Sequence, residues 1–393
     1  MINLSARFQG FVIKALFFII YASSSAWLTF FYIYLKEGAA LNGIEIGIIA
    51  GFQQFNTLIV LPVWGIWADR FGRKRMLIIA LFFSALLILL FPFLKGAASI
   101  ILLVILITLV YNPINPLIDT IALDYQEQTN GTTSYGEIRM WGSFGWGSAA
   151  LLSGIFINMT RLELIFPVSS TLFILSWIML LVLYNPKRIR RNINRLRKSI
   201  LREVLFEKKI LLSFFSLVFF YSLFSAPVYL LINVYYNEIG SSTRILGIAY
   251  LVQGISELPF FFFGKKMVNR FGAGTLFIAT VLFTAFRLLA YGFNNSPQLA
   301  IFIGSLHGIS IGLFFVSVTA YVHDHVPAEL RGTGQSLVHT FYAVGVGIGN
   351  VLSGILMDIF NMKHVMSMNA AGMFLLLLFI FFSGQSRNHT QKV

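Results

Sequence analysis

Long apolar runs alternate with short polar interruptions twelve times along this chain. The runs cover residues 11–34, 44–67, 76–94, 99–124, 138–157, 163–184, 210–236, 243–264, 274–292, 298–322, 334–359 and 365–384. Each is long enough to cross a hydrocarbon core of about 30 Å as a helix. Only helices or closed barrels satisfy the backbone there, and runs of this length predict helices. The pattern therefore predicts an all-α membrane protein with twelve transmembrane helices. One long polar stretch, opening Asn185-Pro186-Lys187-Arg188, separates six spans from six. The expected organisation is an N-terminal six-helix bundle over 1–184, a basic cytoplasmic linker over 185–209, and a C-terminal six-helix bundle with a short tail over 210–393.

Composition agrees. The 393 residues are 57% hydrophobic and 11% charged, with a mean hydropathy of +0.80, whereas a soluble domain is about 25% charged. Lys and Arg crowd the segments that a cytoplasmic amino terminus would place inside. The outer loops then hold only Lys36, Lys95, Arg161, Arg244 and Lys363. That asymmetry predicts both termini in the cytoplasm. It also accounts for most of the net charge of +14, so no nucleic-acid partner is needed. The basic linker is expected to lie on anionic lipid; a regulatory partner is the alternative.

The first apolar run is too long for a cleavable signal and lacks a small-residue cleavage site. Cysteine is absent, which removes disulfides, thiol chemistry and Cys-based metal sites. His323-Asp324-His325 is not read as a metal site, and no cofactor is implied. No nucleophile–base pair stands out, so an enzyme is not expected. Of the sequons at Asn130, Asn158 and Asn388, only Asn158 would face outward.

The two halves echo each other. Gly65-Ile66-Trp67-Ala68-Asp69-Arg70-Phe71-Gly72-Arg73-Lys74-Arg75 follows the second span, and Val268-Asn269-Arg270-Phe271-Gly272-Ala273-Gly274 follows the eighth. A repeat at half the chain length implies two pseudo-symmetric bundles about an axis along the membrane normal. In the first copy, Gly65 and Gly72 permit close packing and unusual dihedrals. Asp69 can meet the positive end of a neighbouring helix. This segment resembles the loop signature of the major facilitator superfamily, at the place between spans two and three where that family carries it. The resemblance implies a conformational latch built from Gly65, Asp69, Arg70, Gly72 and Arg73. Asn269 replaces the acid in the second copy, so the latch is expected to be asymmetric.

Helical spacing sorts the remaining polar residues into one-sided stripes. The fourth span carries Asn112, Asn115 and Asp119 beside Pro113 and Pro116; the fifth carries Arg139, Ser143 and Trp146. The seventh has Tyr221, Ser225, Tyr229 and Asn233, and the eighth Gln253 and Glu257. His307 and Ser310 lie in the tenth, with His339, Tyr342 and Asn350 in the eleventh. Such stripes either line a shared hydrated cavity or join helices by hydrogen bonds. Charge argues for function, because an ionised group at the bilayer centre costs about 2.5–3.5 kcal/mol on insertion scales. Asp119, Arg139, Glu257, Arg287 and His307 are therefore the candidate chemistry.

Several of these positions are similar to the lactose-permease-like branch of the superfamily, the oligosaccharide/proton symporters and their aromatic-acid and nucleoside relatives. Pro116-x-x-Asp119, then Tyr135-Gly136-x-x-Arg139-x-Trp141-Gly142-Ser143-x-Gly145-Trp146, match its fourth and fifth helices. Arg287 followed by Leu306-His307 matches the spacing of its ninth and tenth. The resemblance implies that Asp119, Arg139 and Trp146 bind solute, with the arginine salt-bridged to the acid and the tryptophan stacked on a sugar ring. Asn115 and Gln253 join that set from the same stripes. Arg287 and His307 would couple protons. Two departures matter. The branch's lactose transporter has a proton-binding glutamate where this chain has Ser310, and its aspartate–lysine pair has no counterpart here, with Tyr342 near the lysine position. Glu257, about one turn from the branch's eighth-helix acid, is therefore the expected proton carrier.

The reading that results is a secondary active transporter working by alternating access, taking up a small polar solute with protons. A sugar or oligosaccharide is favoured; nucleosides and aromatic acids stay open. The alternatives are a proton-driven exporter of an amphipathic compound, which 41 phenylalanines would suit, and a transporter-like sensor without flux. The Gly-Pro-rich fifth-helix signature of drug antiporters is missing. Expected partners are solute, protons and lipid, for a monomer in the plasma membrane.

Overall fold

A computed structural model describes the backbone of residues 2–129, 135–182, 209–326 and 331–390. The basic linker up to Lys208, Asn130 and residues 327–330 lie outside the described residues, as does the side chain of Asn388. Among the described residues there is no strand, and twelve helices are long and apolar enough to cross a membrane. They are α1 (Phe8–Gly38), α2 (Gly43–Phe71), α3 (Arg73–Phe93), α4 (Ala97–Gln128), α5 (Tyr135–Met159) and α6 (Leu162–Val182). The second half contributes α7 (Leu211–Glu238), α8 (Thr243–Phe271), α9 (Ala273–Phe293), α10 (Pro297–His325), α11 (Thr333–Met357) and α12 (Met362–Phe382).

Every predicted span is present, but several helices overrun it. α2 runs on through Ala68-Asp69-Arg70, and α8 through Lys265 to Phe271. Hydropathy marks the thickness of the lipid, whereas the backbone hydrogen-bond ladder continues for as long as φ and ψ allow. What stops both helices is a glycine. Gly72 has φ +98° and Gly272 φ +78°, a region that costs a side chain about 1–2 kcal/mol. Nothing lies within 4 Å of where a Cβ would stand at either position, so the dihedral is the reason for glycine. At Gly65 the surroundings are equally open. The close packing expected there is not formed, because Gly65 sits mid-helix on an unopposed face.

Three helices are interrupted inside their apolar stretch. α4 breaks between Tyr111 and Ile114 at Pro113. α7 passes through a 3-10 turn at Ala226–Val228, around Pro227. α10 contains a π-helical turn at Gly308–Gly312, immediately after His307. Proline removes a donor and kinks a helix, and irregular backbone at membrane depth persists only where protein buries it or water reaches it. All three breaks adjoin residues singled out by their charge or polarity: Asn112 and Asn115, Ser225 and Tyr229, and His307 and Ser310.

The chain divides into two compact units. One comprises Met1–Glu45, Phe55–Ile193 and Ser241–Leu251; the other comprises Ile46–Gln54, Asn194–Gly240 and Val252–Val393. The opening turns of α8 thus pack within the first unit, where the Thr243 hydroxyl donates to the Gly154 carbonyl at 2.9 Å. The opening turns of α2 pack within the second, where a side chain at Gly47 would collide with the Asn350 carbonyl at 2.8 Å. Aromatic clusters hold each interior. In the first unit Trp27, Phe31, Phe91 and Phe166 form a chain of ring contacts 4.9–6.5 Å apart. In the second, Tyr221 stacks on Phe314 at 4.6 Å. Such pairs contribute about 0.5–1.5 kcal/mol each beyond area burial. The outward faces stay apolar, as at Phe262 and Phe302, which suits lipid rather than water.

Candidate functional site

In the first unit, α5 is pressed against α1 by two glycines. A Cβ at Gly145 would strike the Phe18 carbonyl, and one at Gly142 would meet the Tyr21 ring at 2.9 Å and Arg139 Nη1 at 3.0 Å. This approach lays the Arg139 guanidinium over the Tyr21 ring, 4.3 Å from its centroid. Asp119 on α4 is within electrostatic range of Arg139 and within hydrogen-bonding reach of the Tyr135 hydroxyl. Its Oδ1 is buried with no hydrogen-bond partner among the described residues, and so is Oδ1 of Asn115, one turn away. The direct salt bridge that the resemblance implies between Arg139 and Asp119 is not formed among the described residues. Arg139 is drawn onto the tyrosine face instead, leaving a donor and two acceptors uncommitted. Trp146 lies two turns along α5 from Arg139 and is partly exposed.

In the second unit, an arginine, a histidine and a glutamate form a linear chain. Arg287 on α9 is fully buried, and its Nη1 lies 3.1 Å from His307 Nδ1. A guanidinium nitrogen only donates, so Nδ1 must accept and the imidazole proton resides on Nε2. That nitrogen is 2.9 Å from Glu257 Oε1. Arg287 Nη1 also donates to Ser310 Oγ at 2.9 Å. The position where the related branch has an acid is therefore occupied by a hydroxyl that accepts from the arginine. Tyr221 and Tyr229 close the site from α7, with hydroxyls 3.0 Å apart, and Tyr221 donates to the Ser310 carbonyl.

Glu257 reaches His307 because α8 and α10 touch backbone to backbone. A Cβ at Gly308 would strike the Ser256 carbonyl, and one at Gly312 would sit 3.1 Å from the Phe260 Cβ. The pair has small-xxx-small spacing, which lets helices approach closely. The Gly308 N–H also donates to Ser256 Oγ of α8 at 2.9 Å. The four-residue spacing of Gly308 and Gly312 is the signal of this contact along the chain. Gly308→Ala is expected to displace α8 and break the Glu257–His307 contact. Counterflow of solute should then persist while gradient-driven accumulation falls roughly tenfold or more, since about 1.4 kcal/mol suffices for that factor. Full accumulation by this variant in liposomes would show that the contact does not depend on the glycine.

Gln253 lies one turn before Glu257, yet its amide turns elsewhere, with Nε2 buried and unpartnered near Gly304 and Tyr291. At the end of α2, Arg70 packs over Phe71 at 5.4 Å, as Arg270 does over Phe271 at 5.2 Å in the second half. Asp69 is exposed. Arg73 forms an ion pair with Asp124 of α4, a buried acid that sequence reasoning missed because it falls near the polar end of its span. Lys14 pairs similarly with Glu137 at 2.8 Å, tying α1 to the start of α5. His323 and Asp324 are exposed, and His325 stacks on Tyr321 at 4.0 Å.

The chain is similar to known proteins along most of its length. The maltose permease of Geobacillus stearothermophilus is 28% identical over 86% of this chain and 84% of its own length. The sucrose permease of Escherichia coli is 25% identical over 94% of this chain and 92% of its own. Among solved structures, the nucleoside transporter NupG superposes with a TM-score of 0.85 over 95% of this chain and 99% of its own, at 18% identity; this is a likeness of fold. The model of the MFS_1-like family matches residues 11–368. The chain belongs to that family of the major facilitator superfamily, and it is an integral multi-pass membrane transporter for a small-molecule solute.

Proposed function

We propose that this transporter takes up a sugar or oligosaccharide together with protons, by alternating access, with both termini in the cytoplasm and as a monomer. The observation that carries the coupling is the Arg287–His307–Glu257 chain. A second proton on His307 would have to sit on Nδ1, facing the guanidinium donor. An incoming proton therefore goes to the Glu257 carboxylate, whose side chain is also more exposed than that of His307, at 23% against 14%. Arg287 and His307 act as positioning residues for that carboxylate.

The solute reading rests on the opposite inventory in the first half. Adjacent sugar hydroxyls each donate and accept, and they match an arginine fork beside unpartnered acceptors at Asp119 and Asn115. Trp146 supplies a flat apolar face for a pyranose ring. The maltose and sucrose permeases among its relatives support the same class. A nucleoside is the second reading, favoured by the fold likeness to NupG; a ribose diol and a base would use the same groups. The Gly65–Arg73 segment with Asp69, Arg70 and Gly72 is assigned to the conformational latch.

Purified protein in liposomes tests this directly. Addition of maltose, sucrose or a nucleoside outside, with no preset gradient, is expected to draw protons inward with the solute. Proton movement in the opposite direction would turn the assignment to antiport. Saturable binding with no flux of solute would leave a sensor.

A further inference from the structure

Beside the proton chain lies a group of buried donors that it does not use. Arg287 Nη1 is satisfied by His307 and Ser310, but Nε and Nη2 have no acceptor among the described residues. Gln253 Nε2 is likewise buried and unpartnered, in a residue only 4% exposed. The Tyr236 and Tyr291 hydroxyls, both on fully buried residues, have each other within reach and no other hydrogen-bonding partner among the described residues. These groups converge. The Arg287 guanidinium sits 5.6 Å from the Tyr291 ring centroid. A Cβ built on Gly304 of α10 would lie 3.4 Å from the Tyr291 hydroxyl and 3.5 Å from Gln253 Nε2. Tyr235, which stacks edge-on to Tyr291 at 5.0 Å and is held by Asn294 Nδ2 at 3.0 Å, closes the wall.

The chemistry of the set is one-sided. Guanidinium and amide nitrogens donate and cannot accept, and a tyrosine hydroxyl donates readily. The cluster holds a permanent positive charge, because arginine does not lose its proton in a protein. Among the described residues Arg287 has no direct carboxylate partner; Glu257 contacts only the far side of the imidazole. Water could occupy the donors but would leave a buried charge uncompensated, which is the costly condition for a group in a low-dielectric interior.

We propose that Arg287, Gln253, Tyr236 and Tyr291 enclose a small monovalent anion of about the size of chloride. Its negative charge takes the place of a carboxylate on the guanidinium. Glu257 then stays on His307, free to receive a proton, instead of being drawn onto Arg287. The pocket thereby links the ionic composition of the medium to coupling, independently of which solute is carried.

The test uses the full-length protein in detergent, exchanged into sodium gluconate and titrated with sodium chloride, bromide or acetate at constant ionic strength. A saturable rise in Tm of several degrees is expected, because a ligand that binds only the native state stabilises it by mass action. Tyr291→Phe is expected to weaken the apparent affinity about tenfold, the worth of one hydrogen bond to a charged group, and Gly304→Ala, which sets a methyl against the Tyr291 hydroxyl and Gln253 Nε2, is expected to weaken it by crowding the donors. Stabilisation by the halides points to the free ion; stabilisation by acetate alone points to a carboxylate carried on a solute, and both support the anion pocket. Anomalous scattering from bromide locates it without relying on either variant. Identical Tm in gluconate, chloride, bromide and acetate would overturn the proposal, as would bromide found away from Arg287 or an undiminished response in both variants.

Discussion

Glu257→Gln is expected to exchange solute across a liposome membrane as fast as the wild-type protein and to accumulate none of it. The substitution keeps the size of the side chain and, through its amide oxygen, an acceptor for His307 Nε2–H at the place where Glu257 Oε1 lies 2.9 Å away. It removes the only function for which a carboxylate is needed, the reversible uptake of a proton. Exchange of internal for external solute requires the loaded carrier to reorient and no net proton movement. Net uphill transport requires the proton as well. One charge moving through 100 mV supplies about 2.3 kcal/mol, equivalent to roughly fifty-fold accumulation. The variant should bring that ratio to about one. The measurement pairs counterflow with uptake driven by an imposed potential. Retained accumulation would assign the proton to another group, and loss of both activities would make Glu257 a structural or solute-binding residue.

The second large effect lies in the other half of the chain. Arg139→Ala removes a guanidinium that lies over the face of Tyr21, a contact worth about 0.5–2 kcal/mol. Solute hydroxyls would be expected to take the N–H groups on its edge. Two hydrogen bonds to a charged donor at about 1.5–3 kcal/mol each predict a loss of at least two orders of magnitude in affinity. Arg139→Lys should fall between, because lysine keeps the charge but not the planar fork. Equilibrium binding of maltose or sucrose in detergent separates these variants. Wild-type affinity in Arg139→Ala would remove α4 and α5 from the solute site.

Much of the fold could be read from the chain because lipid imposes a length and a composition on every crossing helix. The twelve spans and the repeat about Arg70 and Arg270 needed only hydropathy and spacing. Helix ends did not follow, since Asp69 and Lys265 belong to helices that outlast the apolar run. The five charged residues were visible as costly exceptions, but their pairing was not. Nothing along the chain says that Glu257 and His307 are neighbours; that depends on Gly308 and Gly312 allowing α8 and α10 to meet at the backbone. In the same way, the choice of Arg139 between Asp119 and Tyr21 depends on how closely Gly142 and Gly145 let α5 approach α1. Gly65 shows the converse: among the described residues nothing approaches the place where its Cβ would stand. A glycine in a motif can serve a dihedral, a contact or neither, and only the surroundings distinguish them.

The π-helical turn at Gly308–Gly312 bears on how such a site can be gained and lost. A turn of this kind carries one residue more than the α-helix needs, and it commonly marks a functional position. Deleting a single codon there would let α10 anneal into an uninterrupted helix, with both flanking segments keeping their faces and their neighbours. The fold would survive while His307 and Ser310 lost their alignment on Arg287. In alignments, members of the family that dispense with this centre should therefore show a one-residue gap at this turn, a mark of lineage that substitution patterns alone would not reveal.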